Sequence, residues 1–218
     1  MKQYIIRFVT LLIGIFLFAL GIVLTLRANI GYAPWDVLHA GLSQKTGLSF
    51  GWISILVGLL LIVIVLILGE KIGLGTLANM VLVGLFIDAI IALNIIPLPT
   101  RLPFSILMLI GGLFVVSLGS YFYIKSAFCA GPRDSLMVAV ARKTRLPIGL
   151  CRSLVELLVL VGGWLLGGMV GVGTVISVIA IGFCVQITFG LLRFDATKVT
   201  HETFVDTFFK RKRKSESL

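Results

Sequence analysis

Charge is what this sequence has least of. Only 13% of its 218 residues are Asp, Glu, Lys or Arg, and just nine are acids, where a soluble domain carries about 25% charged residues. With 59% hydrophobic residues and a mean hydropathy of +1.14, too few polar side chains remain to cover a water-facing surface. A soluble globular protein is excluded and an integral membrane protein is implied. Cysteine is also scarce. Cys129, Cys151 and Cys184 are odd in number and match no zinc spacing, so they read as small apolar packing residues. The two histidines, His39 and His201, are too few and too separated for a metal site. No nucleophile motif, phosphate loop or cofactor fingerprint occurs. The expectation is therefore no enzyme, no cofactor and no metal. Nor is there a cleavable signal, because the first apolar run is too long and lacks a small-residue cleavage site.

What is present is an internal repeat, the first thing to seek in any chain. Ala33-Pro34-Trp35-Asp36 recurs 98 residues later as Gly131-Pro132-Arg133-Asp134, and the match extends without a gap. Gly21/Gly119, Thr46/Thr144, Gly51/Gly149, Gly75/Gly173, Thr76/Thr174 and Gly84/Gly182 are among about 22 identities in 71 aligned positions. A spanning helix needs about 20 mostly apolar residues. Six runs qualify, at roughly 5–26, 51–69, 74–95, 103–124, 152–168 and 171–192. Segments 28–50 and 126–151 are more polar, are punctuated by Gly and Pro, and occupy equivalent places in the two units. The expected fold is all-α, a polytopic bundle of about six transmembrane helices. It forms one membrane domain over 1–195, with repeat one at 1–98 and repeat two at 99–195. A basic cytoplasmic tail at 196–218, partly disordered, either lies on the inner leaflet through Phe204, Phe208 and Phe209 beside Lys210 to Lys214 or is a solvated tail that simply obeys the positive-inside rule.

Lys and Arg give the orientation. With the N-terminus in the cytoplasm and six spans, sixteen of the nineteen basic residues fall inside; only Arg27, Lys45 and Arg101 fall outside. Both termini are then cytoplasmic. The net charge of +10 is accounted for by the anionic inner leaflet rather than by nucleic acid. Three spans per unit is odd, so the second unit must be inverted relative to the first, an arrangement of many transporters and channels with sites near the midplane. Glycines seven apart, Gly14 and Gly21 in one helix and Gly112 and Gly119 in its counterpart, mark faces for close packing.

Each Pro-x-Asp segment reads as a helix start. The residue before proline is pushed to extended geometry, proline suits the first helical position, and the aspartate falls where a carboxylate faces free backbone N–H groups. Short helices are expected over 34–44 and 132–143. They are either interfacial helices that only cap themselves or re-entrant half-helices aimed at a central site. On the second reading Asp36, Asp134, Arg133 and Trp35 line or gate a substrate site. Arg27 and Lys125, each seven residues before its proline, either mark the membrane interfaces or pair with the aspartates. Asp88 and Glu156, acids within spans, are candidate ion- or proton-coupling groups. The bland alternatives are capping for Asp88 and an i,i+4 pair with Arg152 for Glu156.

The runs Leu26-Arg27-Ala28-Asn29-Ile30-Gly31-Tyr32-Ala33-Pro34-Trp35-Asp36-Val37-Leu38, Thr46-Gly47-Leu48-Ser49-Phe50-Gly51 and Gly73-Leu74-Gly75-Thr76 resemble bacterial inner-membrane proteins of the YczE/YyaS/YitT group. Ala130-Gly131-Pro132-Arg133-Asp134 and Gly171-Val172-Gly173-Thr174 do so too. The resemblance spans nearly residues 7–192 and implies a multi-pass protein of the bacterial plasma membrane. It carries over no substrate. The preferred expectation is a small-solute or ion transporter or permease. The alternative is a membrane accessory or regulatory protein docking a partner through its basic cytoplasmic loop and tail; a homo-oligomer or a membrane-protein partner is the expected assembly.

Overall fold

A computed structural model describes residues 2–70, 72–128, 131–146 and 148–194. The tail expected at 196–218 and Cys129 lie outside the described residues. Eight helices carry the fold among those described: α1 (Lys2–Arg27), α2 (Pro34–Thr46), α3 (Phe50–Ile67), α4 (Leu74–Leu93), α5 (Leu102–Lys125), α6 (Pro132–Thr144), α7 (Ile148–Leu165) and α8 (Val172–Leu191). The 98-residue offset is kept to the residue in α2/α6, α3/α7 and α4/α8. The local punctuation repeats with it. Asn29 and Ala127 both take positive φ, as do Gly69 and Gly167 in the tight turns. Thr76 Oγ1 accepts from Gly73 N at 3.3 Å, and Thr174 Oγ1 accepts from Gly171 N at 3.1 Å. The expected short helices run slightly further than 34–44 and 132–143, because each persists until a left-handed residue, Gly47 or Arg145, closes its last turn. The run expected at 152–168 starts earlier, at Ile148, and stops at Leu165, before the glycine turn.

The two halves clasp at α1 and α5. A Cβ on Gly14 would lie 2.5 Å from the Tyr123 nitrogen, and one on Gly21 would lie 2.6 Å from that of Val116. Gly14 thus meets Gly119 and its neighbours, and Gly21 meets Gly112, so the two helices cross antiparallel. In lipid the hydrophobic effect does not drive helices together, and close backbone approach through small residues supplies the packing energy. The remaining contacts are exchanged crosswise. Gly173 N donates to Ile30 O at 2.7 Å, and its counterpart Gly75 N donates to Phe128 O at 2.8 Å. Likewise α2 packs on α7 and α6 on α3, while α1 packs on α4 and α5 on α8.

One correspondence fails. α3 and α4 pack together, with Gly51 and Gly84 backbone to backbone, whereas among the described residues α7 and α8 form no such interface. Gly84 has no room for a Cβ, while its counterpart Gly182 faces open space.

Polarity is turned inside out. Leu60, Ile67, Leu158, Val175, Ile179 and Phe183 are exposed, while Thr25, Asp36, His39, Ser117 and Ser177 are buried. A surface this apolar belongs in a bilayer. Five helices, α1, α3, α4, α5 and α8, are long and apolar enough to span one.

Candidate functional site

The site is built from the starts of α2 and α6. Ala33 and Gly131 are extended N-caps, and Pro34 and Pro132 open the helices. Neither start has a side-chain cap bond. Ala33 and Gly131 carry no side chain able to cap, and the aspartates sit in the first turn of each helix. α2 buries Pro34, Trp35, Asp36, Val37, His39, Ala40 and Gly41, because Gly41 and Gly163 let it lie backbone to backbone on α7. Both starts open on one cavity of about 280 Å³. Its wall is lined by counterpart positions of the two halves: Ala33 and Gly131, Pro34 and Pro132, Trp35 and Arg133, Asp36 and Asp134, His39 and Met137, Ser54 and Arg152, Gly58 and Glu156, Asn79 and Ser177. Met80, Val83, Val178 and Ile181 make it largely apolar, and α3, α4, α7 and α8 all contribute to its wall.

Four of the expected site residues, Trp35, Asp36, Arg133 and Asp134, converge here, and Glu156 joins them. The Arg133 guanidinium carbon lies 5.0 Å from the Trp35 ring centroid, in cation–π range. Its Nη2 is 3.5 Å from His39 Nδ1, and that nitrogen lies 4.0 Å from Asp36 Oδ1. Asp134 accepts a 2.6 Å hydrogen bond from the Tyr123 hydroxyl. Arg152 Nε donates to Glu156 Oε1 at 2.9 Å, so Glu156 makes its i,i+4 pair and lines the cavity at once. Trp35 Nε1, Asp36 Oδ1, His39 Nε2 and Ser177 Oγ are buried and have no hydrogen-bond partner among the described residues. Buried polar atoms are nearly always satisfied. Four unmet ones lie on residues that line this one cavity.

Arg27, Lys125 and Asp88 do not line the cavity. The pairing of Arg27 and Lys125 with the aspartates is corrected: Arg27 donates to Asn94 Oδ1 at 2.8 Å, and Lys125 to the Tyr121 hydroxyl at 2.8 Å. Each sits at the far end of a long helix whose own neighbours are nearer than the proline segment. Asp88 accepts from Gly51 N at 2.7 Å and from Ser49 Oγ, tying the start of α3 to α4. Sequence reasoning misses His39 and Tyr123 as site residues. A signal for His39 exists in its place three residues after Asp36, one turn along the same helix face. Tyr123 leaves none, since its role depends on the crossing of α1 and α5. Among the described residues no acid, His or Cys cluster is arranged to hold a metal.

A Family of unknown function (DUF6198) matches residues 5–189. The chain belongs to this family. The DUF6198 chain is 36% identical over 179 residues to an uncharacterized protein of Haemophilus influenzae, covering 80% of this chain and 81% of the relative. It is 32% identical over 187 residues to the uncharacterized membrane protein YczE of Bacillus subtilis, covering 85% and 86%. It is 33% identical over 170 residues to the uncharacterized protein YyaS of the same organism, covering 76% and 84%. The YczE/YyaS part of the resemblance read from the motifs is thereby shown. No solved structure matches. The DUF6198 chain is thus a membrane protein whose relatives carry no stated substrate.

Proposed function

We propose that this protein is a small-solute permease of the bacterial plasma membrane, with six spans arranged as two inverted three-helix repeats and both termini in the cytoplasm. α7, of the same length as its counterpart α3, is the sixth span, and α2 and α6 are re-entrant half-helices. The observation that carries this reading is the cavity lined by counterpart residues of both halves at the starts of two half-helices. Paired broken segments in inverted halves are where secondary transporters bind their cargo. The antiparallel crossing of α1 and α5 supports the inversion. The unequal packing supports alternating access. α3 closes on α4 through Gly51, Gly84 and Asp88, while among the described residues α7 and α8 form no comparable interface, and on this reading the cavity opens on that side. On the charge-derived orientation the open side is cytoplasmic. The opposite state forms when α7 closes on α8 and α3 parts from α4, with Glu156 and Arg152 moving with α7. Proteoliposome flux tests the reading. Solute or proton-coupled flux above protein-free vesicles is expected; folded protein that passes nothing across a broad panel of organic acids, amines, amino acids and inorganic ions overturns it.

A further inference from the structure

The cavity presents a positive and a negative group that are close but do not touch. Among the described residues Arg133 makes no ion pair, and its partners are the Trp35 face and His39 Nδ1. That nitrogen is 3.5 Å from Arg133 and 4.0 Å from Asp36 Oδ1, so the two charged groups are at most about 7.5 Å apart, the sum of those legs. They form no direct ion pair among the described residues, and both lie beside His39 Nδ1. Asp36 Oδ1 and Trp35 Nε1 are unpartnered among the described residues, on side chains of residues only 4% and 7% exposed. The starts of α2 and α6 add two sets of free backbone N–H groups and two positive dipole ends.

We propose that the cavity binds a small zwitterion, an α-amino acid with an apolar side chain, as the substrate class of the permease reading on which this rests. Its carboxylate is taken by Arg133, Trp35 Nε1 and the helix starts; its ammonium is taken by Asp36 Oδ1. Charge-assisted hydrogen bonds run about 2.7–2.9 Å, and one such bond at each end spans the gap when ammonium and carboxylate sit on neighbouring atoms of a single carbon. A simple carboxylate leaves Asp36 unmet, and a simple amine leaves Arg133 unmet; an unmet buried partner is what discriminates strongly between ligands. The apolar wall of Met80, Val83, Val178 and Ile181 takes the side chain.

The test uses the full detergent-purified chain with L-alanine, L-valine, L-leucine and L-phenylalanine. Each is paired with the amine lacking its carboxylate and the acid lacking its ammonium; for leucine these are isoamylamine and 4-methylpentanoate. Binding is read by equilibrium dialysis and by thermal shift. At least one amino acid is expected to bind tenfold or more tightly than both of its analogues. Asp36→Asn should abolish discrimination against the acid, and Arg133→Gln discrimination against the amine. Equal binding of an acid or amine, or no binding by any amino acid, overturns the proposal. The same panel in proteoliposomes separates the two readings. Flux of an acid or amine alone keeps the permease and removes the zwitterion; amino-acid binding without flux keeps the zwitterion and removes the permease.

Discussion

Tyr123 and Asp134 join α5 to the start of α6 through one 2.6 Å hydrogen bond inside the cavity. Removing that hydroxyl leaves Asp134 without its donor. Hydrogen bonds to charged groups contribute about 1.5–3 kcal/mol in water-soluble proteins, but side-chain bonds between helices in lipid average only about 0.6 kcal/mol. Tyr123→Phe should therefore lower stability by roughly 1 kcal/mol, read as a small drop in melting temperature, while flux falls much more because Asp134 loses its fixed position. Equal flux with a lower melting temperature would make this bond purely structural. Asp88 makes the opposite case. It joins Ser49 Oγ and Gly51 N away from the cavity, and its counterpart Gln186 is exposed. Asp88→Ala should destabilise by about 1–2 kcal/mol by freeing a helix start, and Gln186→Ala should not shift the melting temperature. If both variants melt with the wild type, Asp88 is no latch. At this scale the sequence was half legible. The aspartates, Arg133 and Trp35 were visible because a repeated Pro fixes the helix start, and with it the register of the residues after the proline. Partner choice for the long side chains of Arg27 and Lys125 was not, because it depends on which helix end lies alongside.

At the scale of helices, glycine spacing marked a close-packing face on α1 and on α5, because a residue that recurs every seven positions stays on one face, but it did not say that the two faces meet. What it could not foretell is that identical glycines serve unlike ends. Gly84 is pressed on Gly51 and Gly182 on nothing, though both lie midway along equivalent helices that start with Gly-x-Gly-Thr. Two substitutions separate packing from motion. Gly21→Leu drives side-chain carbons into the Val116 backbone and should cost about 3 kcal/mol or more, seen as loss of the folded monomer on size exclusion. Gly111→Leu, where nothing lies within 4 Å, should leave that peak unchanged. Gly182→Leu should also leave the melting temperature unchanged, since its surroundings are open. If transport requires α7 to close on α8, however, the added side chain blocks closure, and flux should drop at least tenfold with cavity binding retained. Wild-type flux from folded Gly182→Leu protein would remove the alternating-access reading.

Among the described residues many large apolar side chains face outward while Thr25, Asp36, His39 and Ser117 are buried, the reverse of a soluble fold, and composition announced the membrane setting. Which way it sits in the bilayer rests on electrostatics. Lys45 and Lys143 are the same residue at the same place in the two repeats, both exposed at the C-terminal ends of α2 and α6. In a parallel repeat they would emerge on one side of the membrane. In an inverted repeat they must emerge on opposite sides, and on the proposed orientation, which rests on the sixteen-to-three division of basic residues, Lys143 is inside. With Cys129, Cys151 and Cys184 replaced by serine or alanine, Lys45→Cys should react with a membrane-impermeant maleimide on intact cells, and Lys143→Cys only after the membrane is opened. Labelling of both from the same side would break the inversion and, with it, the case for a site shared by two half-helices entering from opposite faces. Labelling from opposite sides but with Lys143→Cys outside would keep the inversion and reverse the orientation, making the α7/α8 cleft an opening to the exterior and the permease a scavenger caught facing its supply.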